Sequence, residues 1–239
     1  MEIGPVTTRT LSFRIVKVQN NGAAGVIVLA SLVMASLLGA RPVTGEGDLF
    51  DELYARGQAQ NAGLKTLTAS FVETSTSSLL TRPVIAHGIA IVERPSRVAL
   101  RYADPEARVI LIDGDRMTMS WPSANIRSTK DIGASQRRIQ GYFVDSSPGE
   151  LRSHFQISAS EAGDRPGAYL VTMVPKRQQI LEGITRLELW LDRTSLLLAA
   201  LQMTFPGGDT KLMTFTDVKP NAPVEPAWFT ISGAPGPSR

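Results

Sequence analysis

The chain has 239 residues, with 25 basic and 22 acidic side chains, two histidines and no cysteine. Setting aside the first forty residues, which hold Arg9, Arg14, Lys17 and Glu2, leaves 22 basic and 21 acidic groups, a net charge of +1. A near-neutral chain lacks the basic footprint that phosphate-backbone binding needs, so nucleic acid is excluded as a partner.

The N-terminal segment reads as a signal peptide over 1–40. Arg9, Arg14 and Lys17 precede an apolar run at 23–38, and Leu38-Gly39-Ala40 offers small residues for cleavage. The run is short beside the roughly 20 residues of a membrane span, although an uncleaved N-terminal anchor is the alternative. Bacterial lipid attachment needs a cysteine just after the leader, and Arg41 stands there. The expectation is therefore a soluble periplasmic protein, cleaved near Ala40 and not lipid-anchored. The remaining 199 residues suffice for one domain with its own core, over 41–233, followed by a flexible tail at 234–239. With no thiols, the redox compartment is not legible from cysteine usage.

The first element is an amphipathic helix near 48–64, with Phe50, Leu53 and Tyr54 on one side and Gly57 weakening it. Period-two alternation then predicts strands near 66–76, 84–94, 97–103, 107–113, 115–121 and 124–130. Leu67, Ala69 and Phe71 share one face, as do Val98, Leu100 and Tyr102, and Met117, Met119 and Trp121. Arg94-Pro95-Ser96, Asp104-Pro105 and Asp113-Gly114 supply turns between them. An interlude at 131–155 holds a helix start, Ser147-Pro148-Gly149-Glu150, with a hydroxyl cap, a proline in the first turn and a glutamate three residues on. Short helices are expected near 148–154 and 134–142.

Strands resume near 155–159, 169–174, 184–192, 197–205 and 211–218, with hairpin turns at Asp164-Arg165-Pro166-Gly167 and Pro206-Gly207-Gly208-Asp209. A tail containing Pro220, Pro223, Pro226, Pro235 and Pro237 is expected to end the fold and fray. The sum is a mainly β (α+β) fold: an unclosed antiparallel β-barrel of about eleven strands, covered by short helices. Too few long helices are available to fill a wide concave sheet, so an apolar cavity is expected.

Enzyme chemistry finds no foothold. No zinc-protease helix motif, phosphate-cradling loop or nucleophile elbow occurs, and neither His87 nor His154 stands in a catalytic pattern. Asp113 and Asp115 flank Gly114 as hairpin chemistry, without the further oxygens a calcium loop requires. No metal and no cofactor is expected, and the protein is read as a non-enzyme. Apolar surface remains, with Met117, Met119, Met173, Met203 and Met213 suited either to a pocket for variable acyl chains or to filling core gaps.

Several motifs in order resemble a known family. Ala69-Ser70-Phe71, Gly88, Arg94-Pro95, Arg101-Tyr102-x-x-Pro105, Ile112-Asp113-Gly114, the segment 185–191, Phe215-Thr216-Asp217-Val218 and Pro226-Ala227-Trp228-Phe229 look like the periplasmic outer-membrane lipoprotein carrier family (LolA, with the related acceptor LolB). The match runs roughly over residues 50–231. It implies an unclosed barrel lidded by helices that holds lipoprotein acyl chains, taken from an inner-membrane lipoprotein-releasing transporter and delivered to an outer-membrane acceptor. In the family, the arginine of the Arg-Pro motif points into the cavity and hydrogen-bonds lid carbonyls; Arg94 is the matching position. The strand after Asp113-Gly114 departs from the family pattern, with Ser120 where a tyrosine is expected.

By strand parity the candidate lipid-binding residues, besides Arg94 at the lid, are Phe71, Val98, Leu100, Ile110, Met117, Met119, Leu189 and Met203. Parity alone does not say which face is concave. The expected partners are acyl chains of lipoproteins or related lipids, bound by a monomer. Two alternatives remain: a lipoprotein-sensing regulatory module of the same fold, and a lipid-modifying enzyme, which the missing nucleophile motif disfavours.

Overall fold

A computed structural model describes residues 48–134 and 147–231. The signal peptide, the tail at 234–239 and all but the first position of the helix expected near 134–142 lie outside the described residues.

Eleven strands form one antiparallel sheet: β1 (Thr66–Thr76), β2 (Val84–Glu93), β3 (Arg97–Asp104), β4 (Arg108–Asp113), β5 (Arg116–Trp121), β6 (Ile126–Asp131), β7 (Phe155–Glu161), β8 (Ala168–Pro175), β9 (Arg186–Asp192), β10 (Leu198–Thr204) and β11 (Thr210–Pro220). Their order is β6-β5-β4-β3-β2-β1-β11-β10-β9-β8-β7. Two meanders are thus joined through the first and last strands. The outer strands β6 and β7 are not paired, so the barrel stays open.

The sheet curls because one face is predominantly apolar and must leave water. Along β1, Leu67, Ala69, Phe71 and Glu73 are buried while their neighbours are less so. The register carries this face across the sheet: Ala69 pairs with Ala90 and Ala90 with Leu100, and Leu100 pairs with Ile110 and Ile110 with Met119. In the other direction Phe71 pairs with Phe215, Leu201 with Met213, and Leu189 with Leu201. All these apolar residues belong to one hydrophobic core or pack against it.

Helix α1 (Leu49–Asn61) buries Phe50 and Leu53 in that same core and packs against β7. Asp48 caps it by accepting from the Asp51 amide. Helix α2 (Pro148–His154) carries the complete capping box read from the sequence, Ser147 with Glu150. Arg152 of α2 pairs with Asp48 at 2.6 Å and with Asp51, and lies over the Phe50 ring. The two helices are therefore fastened together over the β7 side. A short α3 (Gln178–Leu181) buries Ile180 between β8 and β9.

The proline-rich end does not fray at Pro220. A 3-10 turn at Pro226–Phe229 docks on β3 from the convex side. Arg101 holds it with three bonds, Nε to the Trp228 carbonyl at 2.9 Å and Nη2 to those of Ala227 and Thr230 at 3.2 and 2.6 Å. The Arg97 guanidinium stacks 4.2 Å from the Phe229 ring. Composition argued for a loose tail; a long-range arginine clamp overrides it. No helix among the described residues is long and apolar enough to cross a membrane.

Candidate functional site

Phe71, Val98, Leu100, Ile110, Met117, Met119, Leu189 and Met203 all lie on the concave face and in its core. Period-two parity placed them on one side of their own strands, and the ladder register makes that side common to all. At the centre they are closed to solvent: Leu100 is 1 % exposed, Phe71 2 % and Met203 0 %. Ile110 and Met119, toward the β6 edge, are only partly buried. The apolar lining expected of a cavity is present, and its centre is packed by its own side chains. Two hollows of about 310 and 280 Å³ lie at the rim of α1 (Gln60, Asn61, Ser195, Leu197) and along the convex side of β4–β6 (Leu111, Thr118, Thr129, Phe229).

Gly88 shapes this face. It pairs with Phe71 on one side and Tyr102 on the other, beside a register shift at His87. A Cβ there would lie 2.6 Å from the Phe71 Cζ and closer still to the Arg101 carbonyl oxygen. The absent side chain lets the Phe71 and Tyr102 rings meet edge-on, with centroids 4.9 Å apart.

Arg94 sits in the hairpin between β2 and β3, and its amide donates to the Lys65 carbonyl at 2.9 Å, tying the hairpin to the start of β1. Its side chain is partly buried, and that desolvation lowers the guanidinium from its ordinary value.

Sequence reasoning passed over the polar end of the face. Glu73 follows Phe71 on the apolar side of β1 and is 3 % exposed. Its Oε2 accepts from the Tyr102 hydroxyl at 2.6 Å, and its Oε1 meets both Arg108 and Lys211 at 3.1 Å. The Arg108 guanidinium also covers the Tyr102 ring, 3.7 Å from its centroid. Burial pushes the Glu73 carboxyl up, but Lys211, the Tyr102 hydroxyl and Arg108 together outweigh it and hold the group below its ordinary value. Burial and the adjacent carboxylate raise the Tyr102 phenol. The signal was available: a glutamate continuing the Leu67, Ala69, Phe71 series stands at an apolar position, where a lone charge is costly.

The cluster spans several strands: Arg108 is on β4, three strands from β1 and about 14 Å away in a flat sheet, and it meets Glu73 at 3.1 Å across the concave face.

The pattern of the outer membrane lipoprotein carrier protein LolA matches residues 62–232. The chain belongs to that family. The fold is shared with an uncharacterised conserved protein from Thermus thermophilus, at 8 % identity and a TM-score of 0.51, over 78 % of this chain and 96 % of that one. Lipoprotein LppX from Mycobacterium tuberculosis is similar at 15 % identity, with a TM-score of 0.42 over 70 % of this chain and 92 % of that one. The Pseudomonas aeruginosa MucA/MucB complex contains a chain similar at 16 % identity and a TM-score of 0.40, over 70 % of this chain and 56 % of that one. No curated protein matches the sequence.

Proposed function

We propose that this LolA-family chain is a periplasmic carrier that takes up acyl chains of lipoproteins or related lipids on the concave face of its sheet. In this reading residues 1–40 direct export, 41–233 form the working domain, and cargo passes from an inner-membrane transporter to an outer-membrane acceptor without turnover. The observation that carries it is the apolar face running without interruption from β5 to β8 in a sheet left open between β6 and β7.

The energetics suit a carrier whose face starts out packed. Removing about 15 methylenes from water stabilises by on the order of 12 kcal/mol. Cargo must first displace the side chains that close the face and loosen the lid, so the net affinity is much smaller and release to an acceptor stays feasible. The flexible thioethers of Met117, Met119 and Met203 lower the cost of that repacking. Arg94 acts at the lid end.

The test is mass spectrometry of protein purified natively from the periplasm, with transfer of a labelled lipoprotein to outer-membrane vesicles as the functional readout. Co-purifying lipid or lipoprotein is expected. Arg94→Leu is expected to keep the melting temperature while changing uptake or release by several-fold. Protein that carries no amphiphile and transfers none overturns the carrier reading; unchanged transfer by Arg94→Leu removes Arg94 from it.

A further inference from the structure

Resting on the carrier reading, we propose that the concave face ends in a seat for an anionic headgroup, a phosphate or a carboxylate, formed by Arg108 and Lys211 above Glu73. The cargo's chain then extends from this seat along the apolar face toward Arg94.

Charge balance is the first argument. Two cations converge on one carboxylate oxygen, Arg108 and Lys211 each at 3.1 Å from Glu73 Oε1, leaving one positive charge in excess. Stabilising a buried glutamate requires one cation, and Tyr102 already serves the second oxygen. An incoming oxyanion would complete the balance without displacing Glu73.

Accessibility is the second. The Glu73 side chain is 4 % exposed, whereas those of Arg108 and Lys211 are each 29 % exposed. The carboxylate lies beneath and the cations present an outer side to solvent. Arg108 Nε is itself out of solvent with no hydrogen-bond partner. The acids at the end of β3 and in the loop after it are engaged elsewhere, Asp104 with His87 at 3.0 Å and Glu106 with Ser123 at 2.8 Å.

Position is the third. Glu73 pairs with Ala86 and Met213, so the cluster sits where the apolar face meets the loops following β1, β3 and β10. Arg94 lies eight residues beyond Ala86, just past the opposite end of β2, roughly 26 Å away at 3.3 Å per residue. Apolar side chains line the interval. A charged seat at one end of a greasy track matches an amphiphile with an anionic head.

The experiment compares binding of cis-parinaric acid and its methyl ester, one chain with and without the charge, to the full mature protein at a pH of about 8. The acid is expected to bind about tenfold tighter. Lys211→Gln, which leaves Glu73 paired with Arg108 and Tyr102, should bring the ratio close to one with ester binding unchanged. Glu73→Gln should raise the ratio, because the competing carboxylate is gone; a merely structural cluster gives no such opposite signs. Equal binding of acid and ester, or one ratio in all three proteins, overturns the seat while leaving the carrier reading standing. Failure of both probes to bind overturns the two together. Inorganic phosphate at the acid's concentration should leave the ratio unchanged; if it abolishes the acid's advantage, the site takes the free ion and the headgroup assignment falls.

Discussion

The Tyr102 hydroxyl reaches Glu73 at 2.6 Å from a strand two places away in the sheet. Its neighbour in sequence, Arg101, points to the opposite face and clamps the C-terminal turn. One dipeptide therefore fastens both sides of the barrel, the concave side through a buried acid and the convex side through three carbonyls.

Removing the acid should be costly. Glu73→Leu leaves the Tyr102 hydroxyl without its acceptor and Arg108 and Lys211 without their common anion. The expected loss is about 2 kcal/mol, reduced from a fully buried case because both cations reach solvent. Urea unfolding at neutral pH checks it. A loss no larger than that of Glu73→Gln, which keeps an acceptor for Tyr102, would contradict this account.

The same group sets an acid limb. Its folded value lies below the ordinary 4.5, so its stabilisation is complete above that range and disappears as pH falls through the folded value. Wild type should therefore lose more stability than Glu73→Gln as the pH is taken below about 4.5. Parallel stability curves for the two proteins would show that Glu73 is not the group responsible.

Gly88→Ala should destabilise by about 2 to 3 kcal/mol, since the new methyl meets the Arg101 carbonyl and the Phe71 ring. Adding Phe71→Ala relieves only the ring, and the backbone oxygen stays in place. The double variant should not recover the melting temperature of Phe71→Ala alone.

Arg101→Ala should free the turn at Pro226–Phe229 without unfolding the sheet. Hydrogen exchange at the Trp228 and Thr230 amides is expected to accelerate about tenfold or more, with β8 and β9 amides unaffected. Arg101→Lys should be nearly as severe, because an ammonium lacks the planar fork that spans three carbonyls.

Much of this architecture was legible before any coordinates. Strand positions, the shared parity of Phe71, Leu100, Met117 and Met203, the Ser147–Glu150 cap and the hairpin turns all follow from interactions between near neighbours. They depend on backbone preferences and on which side of a strand a residue faces, both written into a few consecutive positions. The motif order from Ala69 to Phe229 likewise carried the family.

Which side became concave, how far the sheet curled and where the chain's end came to rest were decided only by the tertiary structure. Arg108 meets Glu73, and Arg101 meets Thr230, across 35 and 129 residues of chain. Such contacts exist only after the whole apolar face has bent to leave water, so no local pattern encodes them. A charge at an apolar position is visible in a sequence; the partners that make it tolerable belong to strands brought together by the curl.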